Sequence, residues 1–158
     1  MIVRRLLFII FSFVTAWALM ILPIPENWQW LRPDWLALVI IFWVFALPRS
    51  VGVLTAWCAG FVMDILGGGL LGQYAFAMVI VAYFACIVRS RFRVFPMFQQ
   101  VIMVLLLVGV GNLALLLVQW IIGNPPKSLL FFAPTITSLL CWPLLSRLLH
   151  LYEPKRIR

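Results

Sequence analysis

Acidic residues are nearly missing from this chain: there are four, against twelve lysines and arginines. Charged residues of both signs make up 10% of the sequence and hydrophobic ones 66%, whereas a soluble globular domain carries about a quarter charged and half apolar residues. This composition excludes an aqueous surface and points to lipid. Histidine occurs once, as His150, and the three cysteines, Cys58, Cys86 and Cys141, stand singly in separate apolar runs. That scarcity excludes metal-ligand or thiol-redox spacing. No serine sits in a G-x-S-x-G setting, and no glycine pattern follows a strand to cradle phosphate. The sequence therefore offers neither a catalytic constellation nor a cofactor site. Linkers, charge blocks and convincing internal repeats are also lacking, so residues 1–158 read as a single domain.

What is present is a series of six apolar runs broken by prolines, glycines and arginines: Leu6 to Leu22, Trp35 to Leu47, Val51 to Leu66, Leu70 to Val88, Val101 to Ile122 and Leu129 to Leu149. Most are close to the roughly 20 residues a helix needs to cross hydrocarbon. They are apolar on both alternating faces, which a barrel strand would not be. The expected fold is all-α, a polytopic integral membrane protein with six transmembrane helices. The second and third runs are short, and a re-entrant hairpin is their rival arrangement. It would carry Arg49 to the membrane centre, at a cost of about 2.5 to 3.5 kcal/mol or more. Two short crossing helices are cheaper. Arg4 and Arg5 precede an apolar stretch containing "AWA", as in a signal peptide, but the stretch continues through "LMIL", so an uncleaved first span is expected.

Lysine and arginine fix the orientation. With the N-terminus inside, Arg4, Arg5, Arg49, Arg89, Arg91, Arg93, Arg147, Lys155, Arg156 and Arg158 face the cytoplasm and only Arg32 and Lys127 face outward. This positive-inside bias puts both termini in the cytoplasm of the inner (cytoplasmic) membrane. It accounts for the net charge of +8 through membrane lipids and topology, with no nucleic-acid partner. The "RSRFRVF" run reads as a cytoplasmic loop that sets topology, with a docking site for a cytoplasmic protein or anionic lipid as the alternative.

Against this background Asp64 stands out, set in "GFVMDILGGGLLG" from Gly60 to Gly72. Gly60 lies one helical turn before it and Ala56 one turn earlier, a small-residue stripe that permits close helix contact. Gly67, Gly68 and Gly69 predict a sharp outer turn, and Gly68 and Gly72 form a G-x-x-x-G spacing running into the next helix. Gln73, Tyr74 and Gln119 are expected at similar depth. The leading reading of Asp64 is a buried acceptor that locks two helices; a ligand or proton site and a helix-end residue near water are the alternatives. Asn112, with Gly109 and Gly111, reads as a packing hydrogen bond. In the first outer loop, "PIPENWQWLRPDW", Trp28, Trp30 and Trp35 interleave with Glu26, Arg32 and Asp34. Such a loop suits an aromatic belt at the headgroups, or a contact surface for a partner.

The stretches "LRPDWLALVIIFWVFALP", "GFVMDILGGGLLGQYAFAMVIVAY", "RSRFRVFPMFQQ" and "LLCWPLLSRLL" occur, in this order and spacing, in a chain that resembles the bacterial rod shape-determining MreD family. The most specific elements are Arg32-Pro33-Asp34, the Gly60 to Gly72 block around Asp64, and Trp142-Pro143. The resemblance implies a non-enzymatic inner-membrane subunit of the cell-wall elongation complex. It would partner the bitopic protein MreC and, indirectly, the elongation transpeptidase, the glycosyltransferase and a cytoplasmic actin-like filament. The family also resembles the six-helix substrate-binding subunits of energy-coupling-factor transporters, which supplies the alternative, a vitamin-type substrate-binding subunit.

The topology is directly testable. Cysteines placed in the loop from Arg89 to Arg93 should react with a membrane-impermeant reagent only after the cells are opened. Reaction in intact cells would reverse the orientation.

Overall fold

The computed structural model describes residues 2–25, 28, 31–47, 50–92, 95–123 and 132–152. Among these residues the fold is six helices without a strand: α1 (Ile2–Ile21), α2 (Trp35–Ala46), α3 (Val53–Gly67), α4 (Gln73–Phe92), α5 (Met97–Ile122) and α6 (Ala133–Tyr152). Each corresponds to one apolar run. α1 extends back through Arg4 and Arg5, and α4 onward through Arg89 and Arg91, because arginine is a good helix former and the polar ends of a span need not break the helix. α5 begins directly after Pro96, its N-cap, and thus four residues before the apolar run. α4 starts only at Gln73, because Gly72 has φ +97° and cannot join the helix. Among the described residues, two helices, Gln73–Arg91 and Met97–Ile122, are long and apolar enough to cross a membrane.

α2 lies at the centre and touches each of the other five helices. Every residue from Leu36 to Ala46 is buried. A helix apolar on all sides must be enclosed on all sides, and here the enclosure is protein. At 12 residues α2 is about 18 Å long, too short for a hydrocarbon layer of about 30 Å. Sheathed by its neighbours, it has little lipid to match. Asp34 begins it, accepting the Ala37 N–H on its side chain at 3.1 Å, and at the other end the Leu47 N–H returns to the Trp43 carbonyl.

Apolar burial gives little net attraction between helices already in lipid, so close packing and hydrogen bonds between helices must hold them. Trp43 Nε1–H donates to Ser12 Oγ at 2.8 Å, joining α2 to α1. Trp17 Nε1–H donates to the Ala59 carbonyl at 3.2 Å, joining α1 to α3. Asn112 donates from Nδ2 to Thr135 Oγ1 at 2.7 Å, joining α5 to α6. Trp142 is among the largest fully buried side chains; the next residue, Pro143, lies inside α6 and has no N–H to offer the Leu139 carbonyl.

Glycine permits two tight crossings. A Cβ on Gly60 would lie 2.6 Å from Ala75 Cα, 2.7 Å from the Tyr74 carbonyl oxygen and 2.8 Å from the Ala75 nitrogen. α3 and α4 therefore meet backbone to backbone. A Cβ on Gly111 would lie 2.6 Å from Val81 Cγ2, so α5 meets a side chain of α4.

These contacts predict different rescue behaviour. Gly60→Ala and Gly111→Ala should each destabilise the protein by about 1 to 3 kcal/mol through overpacking, read as a lower unfolding midpoint in detergent. Val81→Ala should restore Gly111→Ala, because the obstacle is a side chain. Ala75→Gly should not restore Gly60→Ala, whose obstacles are the Ala75 Cα and nitrogen and the Tyr74 carbonyl; rescue there would refute the backbone contact.

Candidate functional site

Two adjoining groups of residues hold charged side chains that bond within the bundle. The first is the α3–α4 turn. Asp64 occupies the last turn of α3, buried, and its carboxylate accepts three main-chain N–H groups: Tyr74 on Oδ1 at 2.8 Å, and Gly72 and Ala75 on Oδ2 at 2.9 and 3.1 Å. The residue thus caps the start of α4 from the end of α3. A carboxylate is suited to this because the first N–H groups of a helix lack partners and the N-terminal end of the helix dipole favours negative charge. Gly60, one turn before Asp64, brings α4 close enough for the carboxylate to reach.

The glycines of this turn act through conformation. Gly68 is the C-cap of α3 at φ +63°, and Gly72 stands at φ +97° before α4. A Cβ on either would meet no atom within 4 Å. The G-x-x-x-G spacing is therefore corrected: neither glycine lies in a helix interface, and both are needed for the left-handed backbone of a tight turn. Asp64 bonds main-chain N–H groups, not the side chains of Gln73, Tyr74 or Gln119.

The second group is the segment Arg32-Pro33-Asp34. Arg32 donates from Nη2 to the carbonyls of Leu19 and Leu22, at 2.8 and 2.6 Å. These carbonyls close α1 and carry the negative end of its dipole, so a guanidinium there is favourably placed. The Asp34 N–H donates to Ser138 Oγ at 2.9 Å, and Ser138 Oγ–H donates to the Pro134 carbonyl at 2.6 Å, which ties the start of α2 to α6. Burial pushes the Asp34 carboxyl up to about 6, opposed by the Ala37 N–H that it accepts. Tyr74 lies within electrostatic reach of Asp34, Arg32 and Asp64, which places the two groups beside each other at one end of the bundle. Trp28 is 61% exposed.

The structure thus brings Asp64, Gly60, Gly72, Arg32 and Asp34 to one end and leaves Asn112, Trp142 and Pro143 on α5 and α6. Trp30, Glu26, Arg49, Arg93, Lys127, Lys155, Arg156 and Arg158 lie outside the described residues. Ser12, Ser138 and Thr135 carry no pattern in the sequence, being isolated hydroxyls; each becomes a hydrogen-bond partner between elements. Among the described residues, no three histidine, cysteine or acidic side chains gather as a metal site.

A family model described as rod shape-determining protein MreD matches residues 1–152. The rod shape-determining protein MreD of Haemophilus influenzae is 31% identical over 108 residues, which is 68% of this chain and 67% of that protein. No solved structure matches.

The geometry at Asp64 predicts graded substitution effects. Asparagine keeps one acceptor oxygen and turns an N–H₂ toward the remaining donors, so Asp64→Asn should keep at most two of the three bonds. Asp64→Leu should keep none and be the more destabilised, at about 0.6 to 2 kcal/mol per lost membrane hydrogen bond. Unfolding midpoints and rod-shape complementation should follow that order. Equal loss of shape at normal protein levels would point to a charge-dependent ligand or proton role instead.

Proposed function

Because the chain belongs to the MreD family of rod shape-determining proteins, we propose that it is a non-enzymatic, multi-pass subunit of the inner-membrane cell-wall elongation complex. On this reading it binds and positions an MreC-like bitopic protein and, through it, the peptidoglycan transpeptidase and glycosyltransferase, with an actin-like filament on the cytoplasmic side. All six helices cross the bilayer and both termini are cytoplasmic.

One observation carries the partner-binding part. The first outer loop returns to the bundle through Arg32 on α1 and Asp34 on α2 and α6, while it holds Trp28 outward. A large amphipathic side chain on a segment fixed at its base loses little freedom on docking, which favours binding. The arrangement suits a scaffold that acts by contact.

The alternative is a vitamin-type substrate-binding subunit, like those of the energy-coupling-factor transporters. It requires polar groups converging on a ligand cavity. Asp64, Asn112 and Asp34 instead spend hydrogen bonds on the protein itself, three on Gly72, Tyr74 and Ala75, one on Thr135 and one on Ala37. That favours the assembly reading.

Recovery of the MreC-like partner from mild detergent tests the proposal. Trp28→Ala and Trp30→Ala should each weaken recovery by about thirtyfold, the equivalent of roughly 2 kcal/mol for a hot spot, with normal membrane insertion. Arg32→Ala should weaken recovery and also lower the unfolding midpoint, since the carbonyls ending α1 lose their donor. Wild-type recovery by all three under dilute conditions would move the interface to the helix faces, and a stoichiometric vitamin in the purified protein would overturn the assembly reading.

A further inference from the structure

The segment from Ile65 to Gly72 reads "ILGGGLLG" and has no charged, hydroxyl, amide or aromatic side chain. The other two outer segments do: residues 23–34 contain Glu26, Trp28, Arg32 and Asp34, and residues 123–131 contain Asn124, Lys127 and Ser128. Ile65, Leu66, Leu70 and Leu71 are all exposed. In water such a tip would be an unusually apolar loop.

Two further observations fit immersion. α3 has 15 residues and is therefore about 22 Å long, roughly 8 Å short of the hydrocarbon thickness. Leu54 and Trp57 leave its outward side exposed, so it has no protein sheath of the kind that surrounds α2. In addition, five consecutive N–H groups at the start of α4 find partners within the protein. Gly72, Tyr74 and Ala75 donate to Asp64, Gln73 donates to the Leu70 carbonyl, and Phe76 to the Gly72 carbonyl. A helix start in water can leave such donors to solvent, whereas in hydrocarbon each unsatisfied donor is costly.

We propose that the α3–α4 turn is submerged in the outer leaflet with acyl chains as its partner, and that Asp64 supplies the acceptors that water would supply to an ordinary loop. The proposal rests on the membrane topology proposed above. A short submerged hairpin beside the longer α4 and α5 thins the leaflet locally, as a span shorter than the bilayer does.

The test uses full-length protein with Cys58, Cys86 and Cys141 replaced by alanine and single cysteines at Leu70→Cys or Leu71→Cys. Pro25→Cys, at an exposed position of the segment 23–34, is the outer reference and Ser90→Cys the inner one, and every variant is first checked for rod-shape complementation. With an impermeant maleimide added to intact cells, positions 70 and 71 should react on the order of a hundredfold more slowly than position 25, because the reactive thiolate must form in hydrocarbon. A bimane label at 70 or 71 in phosphatidylcholine vesicles should be quenched more by a nitroxide on the acyl chain than by one on the headgroup. Reaction at the rate of position 25 would place the turn in water and overturn the proposal. Failure of acyl-chain nitroxides to quench would show that protein covers the tip, which overturns it equally. Reaction of Ser90→Cys from outside would instead refute the topology, so the two failures are distinguishable.

Discussion

A single carboxylate fixes the α3–α4 hairpin. Asp64 accepts from Gly72, Tyr74 and Ala75, and the approach that allows this exists because Gly60 has no side chain to hold the α4 backbone away. The two features need each other. Without the glycine the carboxylate would be too far from the N–H groups, and without the carboxylate the close crossing would bury helix-end donors with nothing to accept them. α4 in turn packs on α2 and α5, so the angle and depth at which α4 starts affect most of the bundle.

The rest of the structure follows the same constraint. Lipid provides no hydrogen bonds and little hydrophobic drive between helices, so helix ends and crossings rely on a few polar groups. Arg32 takes the last carbonyls of α1, Asp34 takes an N–H of α2, and Ser138 joins the start of α2 to α6. Two of these features use charged side chains, and with Asp64 they lie at the end of the bundle where Tyr74 is near each charge. The opposite end has the basic residues Arg89, Arg91 and Arg147. Polar bonding that builds the bundle thus gathers at one end and basic charge at the other.

The central position of α2 has a mechanical consequence. A helix enclosed by five others, with every residue from Leu36 to Ala46 buried, cannot shift without moving its neighbours. Its start is also the point at which the segment Arg32-Pro33-Asp34 enters the bundle, so a contact made there would act on a rigid element rather than on a free strand of chain.

Composition and spacing were enough to determine the helical class and the six segments, because each depends on local quantities, hydrophobic run length and helix-breaking residues; the rarity of an acid in an apolar stretch made Asp64 a candidate. The family was legible too, from ordered stretches such as Arg32-Pro33-Asp34 and Trp142-Pro143. Only the tertiary structure decided what those residues touch. Gly68 and Gly72 looked like a helix-packing pair by spacing but are turn residues by backbone angle. Arg32, which the sequence places in a headgroup or partner-contact loop, spends its Nη2 on the carbonyls that end α1. Ser138 reaches Asp34 across 104 positions, and Trp43 reaches Ser12 across 31. A hydroxyl has no sequence signature until folding brings its partner to within about 3 Å, and that is a property of the packed chain and not of its order.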